Sequence, residues 1–134
     1  LGERVRFLGA LPHAQVMAWM RKATMLVLPS VRTRTGRVEG LGMVLLEAAA
    51  TGVPVIGSRV GGIPEGIVDG ETGFVVPERD CEALGARMSQ LLDEPATRLR
   101  MGVQGRAFVE RAFDIRRQND RLEGFYDALL AARG

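Results

Sequence analysis

Met25-Leu26-Val27-Leu28-Pro29-Ser30 leads, through an Arg-rich run, into Glu39-Gly40-Leu41-Gly42-Met43-Val44-Leu45-Leu46-Glu47, and then into Ala48-Ala49-Ala50-Thr51-Gly52-Val53-Pro54-Val55-Ile56-Gly57-Ser58. The first four residues form a short apolar run stopped by Pro29, which reads as a buried strand. Leu41 to Thr51 is rich in Ala and Leu, both strong helix formers, and Gly52 with Pro54 marks the stop. Val53 to Gly57 is a second apolar run. Strand, loop, helix and strand in that order define a crossover unit, which requires parallel strands and a right-handed connection.

The same alternation extends in both directions. Upstream, Val5-Arg6-Phe7-Leu8 reads as a strand ended by Gly9, and Pro12 opens a helix whose apolar face is Val16, Met17, Trp19 and Met20. Trp19 is expected in the core. Downstream, Gly61-Gly62-Ile63-Pro64 is a loop into a short helix, read on its own as a turn. Asp69-Gly70 signals another turn, and Gly73 to Pro77 is a further strand. Beyond Pro77 the pattern is helical: Cys81 to Leu92, Ala96 to Arg111, and a last helix through Ala132 capped by Asp114. The expected class is α/β, a Rossmann-like parallel sheet with flanking helices. Residues 1–77 form the sheet portion and 78–134 a helical tail of a single domain, 1–134.

Composition narrows the function. The 134 residues are 46% hydrophobic and 25% charged, ordinary for a globular domain. The lone Cys81 has no disulfide partner, and with only His13 beside it a Cys/His zinc site cannot be assembled. Eighteen basic residues, all but Lys22 being Arg, are interspersed with sixteen acidic ones for a net charge of +2. With few aromatics for base stacking, nucleic acid is not an expected partner. No apolar run approaches the roughly 20 residues that span a bilayer. Leu1-Gly2-Glu3-Arg4 resembles neither an initiator nor a signal peptide, so the chain is expected to begin within a longer protein.

The chemistry concentrates between Glu39 and Glu47. Ligands in doubly wound sheets gather at the carboxyl ends of strands, where this loop falls. Gly40 and Gly42 permit close backbone approach and unusual dihedrals. The helix that follows offers unpaired amides and the positive end of its dipole, which suits a phosphate. Carboxylates repel phosphate, so Glu39 and Glu47 are better placed as acceptors for sugar hydroxyls. If both were helical, about 12 Å of rise would separate them. A nucleotide sugar, with hydroxyls at both ends and charge in the middle, matches this arrangement. Alone, Glu47 also fits a solvated helix residue and Gly40-Leu41-Gly42 a plain tight turn.

Taken together, Pro29-Ser30, Glu39 to Glu47, Ala48 to Ser58, Gly61-Gly62-Ile63-Pro64-Glu65 and Asp69 to Pro77 resemble the donor-binding C-terminal domain of retaining GT-B glycosyltransferases. The nearest group is the glycosyl transferases group 1, or family 4, with its E-x7-E motif. The resemblance implies that Glu47 holds the ribose hydroxyls and that Glu39 contacts the transferred sugar. It implies that the backbone of Gly40, Leu41, Gly42, Met43 and Val44 meets the sugar and diphosphate. It further implies transfer from a nucleotide diphosphate sugar with retained configuration, without a metal or cofactor, to a sugar or lipid-linked acceptor held by an N-terminal domain. The expected location is the cytoplasm, with the membrane periphery as an alternative for the full-length protein.

Two departures from the family pattern stand out. The acceptor domain and the early strands of the donor domain, with their usual diphosphate-neutralising Arg and Lys, have no counterpart here. The isolated chain is therefore expected to be an incomplete GT-B domain and inactive. In the family sheet order 3-2-1-4-5-6, Val5 to Leu8 would be strand 3 and Met25 to Leu28 strand 4, leaving an apolar edge open to self-association. The loop Val31 to Val38 is also longer than in many members. Its Arg32, Arg34 and Arg37 suit either a solvated loop or a contact to phosphate or an anionic acceptor. His13 is expected to start a helix, and Cys81 has no assigned role. The competing readings are a GT-B nucleotide-sugar epimerase or phosphorylase, and a non-catalytic nucleotide- or partner-binding module.

Overall fold

The computed structural model describes residues 2–132. Leu1, Arg133 and Gly134, the ends of the expected domain span, lie outside the described residues. Three parallel strands form the sheet: β1 (Leu26–Leu28), β2 (Val55–Ser58) and β3 (Gly73–Val76), in that spatial order. Leu26 stands opposite Val55, and Val55 opposite Gly73. The helices are α1 (His13–Met20), α2 (Met43–Ala50), α3 (Cys81–Asp93), α4 (Pro95–Ala112) and α5 (Ile115–Ala131). Short 3-10 turns span Gly2–Arg4 and Ile63–Gly66.

β2 explains the two-layered core. All four of its residues are buried, as expected for a central parallel strand covered on both faces. Val55 joins Met20, Leu45, Ala48, Ile63 and Ile67 beneath α1, α2 and the Ile63–Gly66 turn. Its neighbour Ile56 points the other way, into Phe74, Val76, Leu91 and Met101 beneath α3 and α4. Alternation along one strand thus assigns each helix layer its own cluster.

The helix ends follow local chemistry. Asp80 accepts a hydrogen bond from the Ala83 amide at 2.8 Å and caps α3, while Asp114 accepts from the Arg116 and Arg117 amides and caps α5. Pro95 occupies the first turn of α4, where its missing N–H costs nothing. The helix expected from Ala96 therefore starts one residue earlier, at Pro95.

Several expectations need correction. Val5 to Leu8 is not a strand. It is irregular and exposed, with Phe7 at 93% accessibility. An extended apolar run becomes a strand only when a neighbour takes its backbone hydrogen bonds, and among the described residues β1 pairs with β2 alone. Direct pairing of this segment with β1 is thereby excluded within the chain. Trp19 is 50% exposed rather than buried. The inward face of α1 is Val16, Met17 and Met20, and Trp19 flanks it, lining an open apolar recess with Val16, Met20, Leu8, Leu26 and Val44. The second strand begins at Val55 rather than Val53, since the Val53 amide bonds back to Ala48 and completes the end of α2.

Candidate functional site

The loop between β1 and α2 is positioned by Gly42. Its φ of 69° and ψ of 59° are left-handed, and a Cβ there would lie 2.9 Å from Leu28 Cδ2 and 3.1 Å from Leu45 Cδ1. Both the backbone conformation and the space therefore call for glycine. Gly40 differs from the sequence expectation. Its φ is not left-handed and a Cβ there meets nothing within 4 Å, so its outer side is open. Leu45 donates its amide to the Gly42 carbonyl at 2.8 Å, and no side chain caps α2. The Met43 and Val44 amides thus begin the helix without a side-chain acceptor, in the geometry that favours an anion.

Glu39 lies in this loop, outside the helix, and Glu47 on the second turn of α2; both are half-buried. Neither carboxylate has a hydrogen-bond or ion-pair partner among the described residues. They flank the uncapped helix start along the chain, with Gly40, Leu41, Gly42, Met43 and Val44 between them. Met43 is 63% exposed and Val44 half-buried.

The Arg-rich loop is built around Thr33. Its Oγ1 accepts from the Arg37 amide at 2.9 Å, its amide donates to the Arg37 carbonyl at 2.9 Å, and its carbonyl accepts from Gly36. Glu78 Oε1 accepts from the Arg32 amide at 2.8 Å, tying the loop to the β3–α3 connection. Arg32, Arg34 and Arg37 are exposed, and their guanidinium groups have no acceptor among the described residues. A cavity of about 280 Å³ lies beside this loop, lined by Pro29, Val31, Ser58, Pro77, Arg79 and Cys81. Glu39 and Glu47 do not line it, so the cavity and the paired carboxylates are separate features.

Among the described residues no three or more His, Cys, Asp or Glu side chains gather to hold a metal ion. His13 starts α1 and Cys81, exposed, starts α3. Far from the loop, Thr97 Oγ1 and Gln90 Nε2 donate to the exposed Glu94 carboxylate and hold its pKa below the usual range. Gly61 and Gly62, which carry part of the family resemblance but read as a turn when taken alone, have no site role assigned from sequence. The Gly62 amide donates to the Gly40 carbonyl at 2.7 Å, so this pair abuts the loop carrying Glu39. The signal available was two adjacent glycines separated by two residues from the end of a buried strand.

Residues 1–108 match the family described as "Glycosyl transferases group 1". The chain belongs to this family. A glycosyltransferase of Corynebacterium glutamicum, the GDP-mannose-dependent monoacylated alpha-(1-6)-phosphatidylinositol monomannoside mannosyltransferase, is 40% identical over 124 residues, covering 91% of this chain and 32% of the relative. Among solved structures, sucrose-phosphate synthase from Thermosynechococcus elongatus superposes with a TM-score of 0.81 at 33% identity, covering 98% of this chain and 31% of that one. Anabaena HepE in complex with UDP-glucose superposes at 0.78 with 22% identity, covering 96% and 33%, a likeness of fold. This group 1 glycosyltransferase chain therefore has a GT-B fold and spans about a third of the length of these relatives.

Proposed function

We propose that this chain supplies the donor-binding part of an enzyme that transfers a sugar from a nucleotide diphosphate sugar to an acceptor, with retention of anomeric configuration. The observation that carries the reading is the uncapped start of α2 after Gly42, with an unpartnered carboxylate on either side of it along the chain. In this reading the Met43 and Val44 amides receive the diphosphate, Glu47 accepts from the ribose hydroxyls and Glu39 from the transferred sugar. Charge that develops on the leaving diphosphate is met by fixed amide dipoles that need no reorganisation. The reading assigns no metal or cofactor to the chain. The exposed Arg32, Arg34 and Arg37 are assigned to phosphate or to an anionic acceptor.

The acceptor in this proposal is a sugar or a lipid-linked sugar held by the rest of the enzyme. Among the described residues no helix is long and apolar enough to cross a membrane. Turnover of the intact protein with a panel of nucleotide sugars, followed by NMR of the product anomer, tests the function. An inverted product would remove retention, and no transfer with any donor would favour a non-catalytic module.

Two further outcomes are expected of the chain by itself. Without an acceptor face it transfers no sugar, and its affinity for nucleoside diphosphates is weak and falls with salt, because exposed charges are screened. Calorimetric titration at two ionic strengths and a transfer assay check both; robust transfer by the 134-residue chain would overturn the first. The outer edge of β1 is unpaired among the described residues and borders the apolar recess of about 390 Å³ at Leu8, Trp19, Leu26 and Val44. Such an edge is a template for another chain, so the purified chain is expected to self-associate. Light scattering that shows a clean monomer over a wide concentration range would refute this.

A further inference from the structure

We propose that Gly61 and Gly62 are positioning residues for the loop that carries Glu39: their bare backbone is the surface against which that loop is set. This rests on the donor-binding reading above. The two segments meet main chain to main chain. The Gly62 amide donates to the Gly40 carbonyl at 2.7 Å and lies 3.4 Å from the Glu39 carbonyl. Gly61 is left-handed at φ +56°, and a Cβ on it would overlap the Glu39 carbonyl oxygen. A Cβ on Gly62 would fall 2.6 Å from the Gly40 oxygen and 3.2 Å from its carbon. In both cases the obstructing atoms are backbone rather than the tip of a flexible side chain, so the loop itself has to move.

The glycine pair is firmly mounted. It follows β2, the fully buried central strand, and precedes the Ile63–Gly66 turn, whose Ile63 is completely buried with Leu45 and Ile67. Ile63 also lies beneath Gly42, 3.5 Å from where a Cβ would stand. The strap formed by Gly61, Gly62 and the Ile63–Gly66 turn therefore shares one piece of core with the start of α2. Glu47 is held by the helix, whereas Glu39 lies outside it and depends on the contact of its own carbonyl and that of Gly40 with the strap. The position of Glu39 relative to the first amides of α2 is thus set by two glycines that have no side chain with which to touch a substrate.

A displacement on the order of 1 Å in a reacting constellation costs about 100-fold in rate. In the intact enzyme, Gly61→Ala is expected to lower kcat by about 10- to 100-fold while donor KM stays within about threefold, because the Glu47 end of the site is untouched. Gly70→Ala is the control. Gly70 is also left-handed, at φ +79°, but a Cβ there meets nothing within 4 Å. It introduces the same backbone strain without the contact, and its kinetics are expected to match wild type.

A second measurement needs no variant. Hydrogen exchange of the wild-type enzyme is followed with and without UDP-glucose or GDP-mannose. The Gly62 amide is expected to slow together with those of Met43 and Val44. Slowing at Met43 and Val44 with no change at Gly62 overturns the proposal, as does a folded Gly61→Ala enzyme with wild-type kcat. If Glu39→Ala and Glu47→Ala slow transfer or weaken donor binding while Gly61→Ala does neither, the glycine proposal alone falls. If both carboxylate variants are also silent, the donor-binding reading falls and takes this proposal with it.

Discussion

On the proposed donor-binding reading, Glu47→Ala in the intact enzyme is expected to weaken donor binding about tenfold or more, and Glu39→Ala to slow transfer mainly, by a similar factor. Each carboxylate stands without a partner among the described residues, flanking the uncapped start of α2 along the chain, so in the proposed reading removing either would leave a ligand hydroxyl without its charged acceptor. A hydrogen bond to a charged group contributes about 1.5–3 kcal/mol, which is tenfold and upward. The two variants separate because Glu47 is assigned to the ribose, bound equally in ground and transition states, and Glu39 to the sugar on which charge develops. Calorimetric donor titration and steady-state kinetics read the split. Unchanged affinity and turnover in both variants would end the assignment.

Leu45→Ala is expected to cost about 2–5 kcal/mol of stability, the largest effect on folding among the substitutions considered. Leu45 is 0% exposed, sits in the first turn of α2, and lies within the cluster that joins β2 to the Ile63–Gly66 turn. Its Cδ1 approaches both Gly42 and Gly57, so the vacated space lies directly under the β1–α2 loop and cannot be refilled by one neighbour alone. The urea midpoint should fall with an unchanged denaturant slope. Leu92→Ala provides the comparison: Leu92 is 56% exposed on α3, and its loss should change stability by no more than about 0.5 kcal/mol. Equal shifts in the two variants would show that Leu45 does not anchor this layer.

The placement of Glu39 and Glu47 about the start of α2 was legible from composition and spacing, because each link is local. Gly52 with Pro54 marks where the helix ends, whereas its start falls at Met43 rather than the expected Leu41, because Gly42 is left-handed. The caps at Asp80 and Asp114 were equally local, although only the second was anticipated. Trp19 illustrates the limit. Its size places it with core residues on average, but the helical phase of Val16, Met17 and Met20 had already taken the inward face.

What the sequence determined by itself was the alternation of strands and helices, the resemblance to the group 1 glycosyltransferases and the residue types of the β1–α2 loop. These are properties of neighbours within a few positions of one another, where sterics and propensity act directly. Tertiary structure alone decided that Val5 to Leu8 is no strand, because strand formation needs a partner edge that no local pattern supplies. It alone brought Gly61 and Gly62 against the backbone of the loop that carries Glu39. Their meaning comes from the carbonyls of Glu39 and Gly40, more than twenty positions earlier in the chain. A missing Cβ is silent in a sequence until the fold brings another backbone into the space it leaves.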